Sequence, residues 1–560
     1  MSLVPPDTLA LQRFYRWERT APKQVTLTQP IGGGAVRDFT WAEVADETRR
    51  MAAHLQSLGL ARGSRIAILS KNCAHWLMSD LAIWIAGHVS VPLYPTLAAD
   101  TVRQIIEHSE ARACFVGKLD GWEQMKPGVP AGLPCISYPL SPPTDYPSWD
   151  DIVARTPPLA GELLRDGDEL ATLIYTSGTT GMPKGVMHSF NTFAWSINSG
   201  LKRWQEGANV RMLSYLPLAH VAERMVCEHA WLATGTHVFF AESLDTFAHD
   251  MRRARPTGFF SVPRLWVKFQ QGVHAKMAPQ KLQRLLGLPI IGAVVRRKVL
   301  TALGLDQCVF AAGGAAPMPP ELLRWYSRLG LDIVEVYGMT ENCGISHATL
   351  TGQPRPGTVG MPYEGVESRV DPTTGEVQMR SPGVMLGYYK EPELTRASLT
   401  EDGWLRTGDK GELDASGALR ITGRVKDLFK TSKGKYVAPA PIEDKLVMHP
   451  AVEACIVTGA NLGQPFGIVM LSPEAAQRAQ DAGERRAMEA SLEAHLNEVN
   501  AKLDPHQQLA LLVVVSTPWT VESGFITPTF KVKRNRIEEA YGALFERWSG
   551  ERKAVVWHAA

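Results

Sequence analysis

Thr176, Ser177, Gly178, Thr179, Thr180 and Gly181 stand in a row, followed by Met182, Pro183 and Lys184. The apolar run before them, ATLIY (171–175), reads as a strand, so this cluster of hydroxyls and glycines sits at a strand end. Phosphate oxygens need several donors at close range. Glycine lets backbone N–H groups approach, Ser and Thr add O–H donors, and Lys184 adds a positive charge. The chemistry is phosphate binding. A Walker loop requires lysine directly after glycine, then Ser or Thr, at the opening of a helix. Here Met182 and Pro183 intervene and Gly185 follows Lys184, which excludes a P-loop NTPase. A Gly/Thr-rich turn without chemistry is the plain alternative.

The longer string LIYTSGTTGMPKG (173–185) resembles the signature of the acyl-adenylate-forming superfamily, which includes acyl-CoA synthetases, firefly luciferase and peptide-synthetase adenylation domains. Further motifs follow in that family's order. AAGGAAP (311–317) resembles its adenine-side loop, which implies nucleotide contacts for Gly314, Ala315 and Ala316. VYGMTE (336–341) resembles the element whose Tyr337, beside Gly338, stacks on adenine. In that element Thr340 contacts the α-phosphate and Glu341 holds Mg²⁺, with Thr176 as a second metal contact. A carboxylate suits Mg²⁺ beside nucleotide phosphates. GWLRTGD (403–409) resembles the ribose motif, in which Asp409 accepts hydrogen bonds from both hydroxyls. ITGRVKD (421–427) resembles the hinge, with Arg424 near the ribose and Lys426 at the pivot. TPTFKVKR (527–534) resembles the C-terminal segment with the catalytic lysine, here Lys531. YLPLAHVAER (215–224) is similar to an element of long-chain fatty acid–CoA ligases and implies His220 near the nucleotide and the acyl carboxylate. Taken singly, Tyr337 reads as core, Glu341 as a solvated carboxylate, Asp409 as a turn residue and Lys531 as part of a solvated basic run. Their order along the chain carries the resemblance.

The resemblance implies ATP-dependent activation of a carboxylic acid, expected to be fatty, as acyl-AMP. Thioester formation with coenzyme A follows, releasing AMP and pyrophosphate. Carboxylate and triphosphate are both anionic, so catalysis rests on charge neutralisation and alignment by Mg²⁺ at Glu341 and by Lys531. For the second step the family rotates its small C-terminal domain about the hinge. The TSKGKYV stretch (431–437) then faces the site, with Gly434 a candidate for close approach to pantetheine. Two alternatives stay open: an acyl-AMP ligase that loads a carrier protein, and a non-catalytic acyl or nucleotide sensor on the same fold.

Positioning these residues takes a large scaffold. The 560 residues are 45% hydrophobic and 21% charged with net charge +2, an ordinary globular balance that does not point to nucleic acid as a partner. RIAILS, VSVPLY and ACFVG read as buried strands separated by the helical stretches HWLMSDLAIWIAG and a second one, and WAEVADETRRMAAHLQSL (41–58) as an amphipathic helix. This alternation predicts an α/β fold: a large N-terminal domain (1–424) of doubly wound sheets, with a small β-rich subdomain over about 357–424. A smaller, mobile α+β C-terminal domain is expected over 425–560. Residues 139–158 read as surface loop. The helix FNTFAWSINSGLKRW and the region 225–262, with Trp231, Phe239, Phe240, Phe259 and Phe260, are candidates for an acyl tunnel or for plain core. Seven scattered cysteines without CxxC spacing fit a reduced, cytoplasmic protein. No signal peptide or membrane span is read. A fatty substrate partitions into membranes, so contact with the inner face of one is compatible with the sequence, although no strongly amphipathic basic helix announces it.

Overall fold

The structure is a computed structural model and describes residues 4–176, 182–204, 210–353, 355–521, 523–527 and 531–558. A seven-stranded sheet forms its centre, in the order Gly387–Tyr388, Lys184–Ser189, Leu170–Thr176, Val89–Leu93, Arg65–Leu69, Ala111–Val116 and Cys135–Ser137. The last five strands run parallel, and the first two pair antiparallel at one edge. Strands buried on both faces need apolar runs rather than alternation, which is why RIAIL and VSVPL are legible as strands. The helix Ala74–Ile85 is buried at every position. A helix with no solvated face belongs between layers, and the one carboxylate of this helix, Asp80, is paired there with buried Arg224.

A second sheet holds Gly258–Ser261, Phe310–Gly313 and Ile333–Tyr337 in parallel, extended by the short antiparallel strands His347–Ala348 and Met361–Pro362. A third joins the hairpin Val25–Gly32/Ala35–Thr40 to His237–Phe240 and Arg211–Ser214 across some 200 residues of sequence. Four antiparallel strands, Glu367–Val370, Glu376–Arg380, Leu405–Leu413 and Leu419–Arg424, make the β-rich layer. From Phe429 onward the chain buries two hydrophobic clusters of its own around Val452–Thr458, Phe466–Leu471, Leu512–Val515 and Val555–His558. Arg264 forms an ion pair with Glu453 across to this last part.

Large aromatics fix the N-terminal layers. Trp41 stacks on Trp231 with ring centroids 4.7 Å apart and on Trp17 at 5.8 Å, tying three helices together. The helix Trp41–Ser57 opens with a capping box: Thr40 and Glu43 satisfy each other's backbone N–H groups. Two expectations need correction. Residues 149–155 form a helix capped by Ser148, with Trp149 fully buried, so 139–158 is not all surface loop. Gly387–Tyr388 pairs into the central sheet, so the stretch 357–424 is not one self-contained layer. Among the described residues no helix is long and apolar enough to cross a membrane, and no group of three or more His, Cys, Asp or Glu side chains is placed to hold a metal ion.

Candidate active site

Strand Ile333–Tyr337 ends at Gly338, and the chain then turns through the short helix Thr340–Asn342. A Cβ on Gly338 would lie 2.2 Å from the carbonyl carbon of Gly344, so only glycine lets this turn fold back on itself. Thr340 and Glu341 are thereby held nearly buried at one wall of a cavity of about 1580 Å³. Two neighbours lock the turn. The Nε2–H of His188 donates to the Thr340 carbonyl at 2.8 Å, and burial drives the His188 pKa down to about 4. The Tyr388 hydroxyl donates to Glu341 Oε1 at 2.7 Å. Lys184 does not line the cavity; its ammonium sits 5.4 Å from the Tyr388 ring centroid, a cation–π contact behind Glu341.

Facing the turn is a carboxylate held from two sides. Asp409 accepts from the Tyr337 hydroxyl at 2.7 Å and from Arg424 at 2.8 Å, and each oxygen keeps a lone pair for a further donor. The Gly408 N–H donates to Glu376, and its φ of +70° is readily adopted only by glycine. Ala315 and Ala316 line the same cavity, and Ala315 sits at φ +66°, a conformation costly for alanine. Gly314 lies behind them: a Cβ there would meet Val336 Cγ2 at 2.7 Å.

The third component comes from far along the chain. The Thr527 N–H donates to the Lys531 carbonyl at 2.8 Å and the Lys531 N–H to Thr527 Oγ1 at 3.0 Å, and Lys531 lines the same cavity as Glu341 and Asp409. Enclosure lowers the Lys531 pKa, aided by Arg424 and opposed by Asp409 and Glu341. His220 lines the wall as the cap of a short helix; its Nδ1 accepts from the Ala222 N–H at 3.2 Å, which leaves the neutral ring's proton on Nε2. Burial and the nearby Lys531 drive its pKa to about 3, so the ring is neutral at working pH.

Thr176, at the end of its strand, also opens on this cavity. Ser177, Gly178, Thr179, Thr180 and Gly181 lie outside the described residues. Lys426 and Gly434 do not line it: Lys426 is exposed, and Gly434 sits at φ +75° in an exposed turn between two short strands. The cavity continues along an apolar wall of Trp204, Met225, Val226, Phe260 and Phe310. Of the candidate tunnel aromatics, Phe260 lines it together with Trp204, the last residue of the helix Phe190–Trp204. Trp231, Phe240 and Phe259 are packed in the hydrophobic cores, and Phe239 packs against one.

Four residues escaped the sequence reading. Glu335 lies two positions before Tyr337, hence on the same face of the strand, and lines the cavity. Its Oε1 is buried without a hydrogen-bond partner among the described residues, and burial pushes its pKa up to about 8. Period-two counting back from Tyr337 points to it. His188 and Tyr388 act through backbone and side-chain contacts that no local pattern announces. Arg224, in the ER of the 215–224 element, is structural: fully buried, it binds Asp80, Glu228 at 2.8 Å and Thr172 at 2.8 Å beneath Trp76, Trp84 and Phe193.

The family described as AMP-binding enzyme matches residues 14–389, and AMP-binding enzyme C-terminal domain matches 426–548. A long-chain-fatty-acid–CoA ligase, FadD15 of Mycobacterium bovis, is 30% identical over 96% of both chains. Fatty acyl-CoA synthetase A of Dictyostelium discoideum is 28% identical over 98% of this chain and 92% of its own. Among solved structures, the anthranilate CoA ligase AuaEII with anthranoyl-AMP superposes with TM-score 0.78 at 22% identity, covering 97% of this chain and 99% of that one. The A domain of the carboxylic acid reductase of Segniliparus rugosus, with AMP and a co-purified carboxylic acid, gives TM-score 0.80 at 22% identity over 98% and 95%. At that identity the structures speak for the fold; the matched family and the full-length relative speak for descent, and this chain belongs to the AMP-binding enzyme family.

Proposed function

We propose that this protein is a fatty acid–CoA ligase: it joins a carboxylic acid to the α-phosphate of ATP, expels pyrophosphate, and passes the acyl group to the thiol of coenzyme A. One observation carries the reading. The ammonium of Lys531 shares a single cavity with Thr340, Glu341 and Asp409, and that cavity runs on into an apolar wall.

In the first step two anions must meet. Lys531 neutralises charge where the acid oxygen approaches the α-phosphorus, and Thr340 orients that phosphate. Asp409 takes the ribose hydroxyls, Tyr337 and the 314–316 loop take the base, and Ser177–Gly181 with Thr176 take the outer phosphates, to which Lys184 would have to swing from its place on the Tyr388 ring. Glu341 suits Mg²⁺, being a lone carboxylate oriented by Tyr388 beside the phosphate positions; the ion would neutralise phosphate charge there, with Thr176 as a second contact. His220, neutral with its proton on Nε2, hydrogen-bonds the acyl carboxylate without repelling Lys531. The apolar wall takes the acyl chain.

For the second step the thiol must reach the acyl carbon, where Lys531 stands. We assign residues 425–560 to a mobile domain pivoting at Lys426, which withdraws Lys531 and brings the Gly434 turn to the site. The exposure of that turn away from the cavity supports such a rotation. The cysteine spacing supports a reducing, cytoplasmic setting, and a fatty substrate supports contact with a membrane surface.

The test is pyrophosphate and AMP release with a panel of acids from acetate to stearate plus aromatics, each with and without CoA. We expect CoA-dependent AMP formation greatest on fatty acids. Pyrophosphate exchange without thioester would instead mark a carrier-loading ligase, and no turnover on any acid a sensor.

A further inference from the structure

From Met251 to Leu305 the chain carries no Asp or Glu, yet it holds eleven Lys and Arg residues in a protein of net charge +2. Most of this stretch is three helices, Pro263–Lys276, Pro279–Leu286 and Pro289–Leu303. The last two form a tight hairpin. Buried Gly292 lies where they cross, and a Cβ there would meet the Leu286 carbonyl oxygen at 2.6 Å. The tip of the hairpin is apolar and open: Leu288, Ile291 and Val294 are about half exposed, and Ile290 is 82% exposed. Ile290, Val294 and Arg297 follow the four–three spacing of one helix face, and Lys298 lies one turn after Val294. Lys281, Arg284, Arg297 and Lys298 are exposed, and none is in an ion pair among the described residues.

We infer that this hairpin docks on an anionic phospholipid bilayer, its tip entering the headgroup–acyl boundary and its cations meeting lipid phosphates. The inference deepens the fatty acid reading and rests on it, since the acid is a membrane solute. Charge complementarity selects the occupant. A second copy of this chain would set cations against cations across a two-fold axis, which opposes pairing. A bilayer with anionic lipid offers the opposite charge and an apolar layer together. Helical periodicity misses the feature because apolar and basic residues are segregated along the helix, tip first, rather than around it.

The test is co-sedimentation of the full chain with vesicles of phosphatidylcholine alone or of equal parts phosphatidylcholine and phosphatidylglycerol. Two double variants accompany it: Arg297→Glu with Lys298→Glu, and Ile290→Ser with Val294→Ser. CoA-dependent AMP release on a short, water-soluble acid is measured alongside as a check on folding and on the ligase reading. We expect salt-sensitive binding to the anionic vesicles, reduced about tenfold or more in each variant, with release on the soluble acid unchanged. The inference is overturned if the parent protein ignores phosphatidylglycerol, or if both variants bind as it does. It is equally overturned if light scattering shows a dimer that the Ile290/Val294 variant converts to monomer. Inactivity on every acid with anionic-vesicle binding intact would sink the ligase reading and leave the docking surface standing.

Discussion

In the proposed mechanism Lys531 and Glu341 act on the same reacting charges, so removing either should be read out on separate half-reactions. For Lys531→Ala we expect ATP–pyrophosphate exchange to fall about 10²–10³-fold, as for loss of a donor to developing charge. Thioester formation from supplied acyl-adenylate should persist. Equal loss in both half-reactions would count against the assigned role. Tyr388 touches no phosphate in this reading; it orients Glu341 through one hydrogen bond of 2.7 Å. Tyr388→Phe should therefore raise the Mg²⁺ concentration for half-maximal exchange about two- to tenfold, the worth of one such bond, and leave exchange at saturating Mg²⁺ nearly intact. Glu335 is neutral at pH 7 because burial favours its protonated form, so Glu335→Gln should leave KM for ATP close to that of the parent.

At the scale of elements, the Thr340–Asn342 turn depends on two glycines in contact. Gly338→Ala would press a methyl group into backbone 2.2 Å away, displacing Thr340 and Glu341 together. Exchange should be abolished while far-ultraviolet circular dichroism changes little. Arg224 joins the helix Ala74–Ile85 to the segment carrying His220, and Arg224→Leu strands the buried carboxylates of Asp80 and Glu228. We expect a loss of about 3–5 kcal/mol in urea unfolding. Legibility divides along the same line. Apolar strands of the central sheet and the Ala74–Ile85 helix announce themselves, because burial on all sides demands continuous hydrophobicity. The hairpin Val25–Gly32/Ala35–Thr40 does not: its partner His237–Phe240 lies far along the chain, and pairing over such distances leaves no local trace. The site motifs are legible since nucleotide chemistry fixes residue type and order. Their supports, His188, Tyr388 and Arg224, are not, since many side chains could brace a turn or fill a core and tertiary contact alone selected these.

For the whole molecule, buried titratable groups pull in two directions. His75 and His220 are lowered to about 3, and His188, His347 and His449 to about 4, all by burial. Unfolding lets them take up protons nearer 6.5, so their contribution is present above that pH and is lost as pH falls. Glu223 and Glu335 are raised to about 8 and Asp444 to about 7. These hold protons in the folded state that the unfolded chain releases, so their contribution is complete at low pH and is lost as pH rises through 7 to 8. Melting temperature plotted against pH should peak near 6.5 to 7 and fall on both sides, and Glu335→Gln should flatten the alkaline fall.

The stacked indoles of Trp17, Trp41 and Trp231 make the protein its own optical gauge. Rings held this close share excitation, so peeling the Ala10–Thr20 helix away would alter emission and near-ultraviolet ellipticity before the rest of the chain gives way. Fraying at the amino end can thus be followed without a dye, separately from collapse of the sheets.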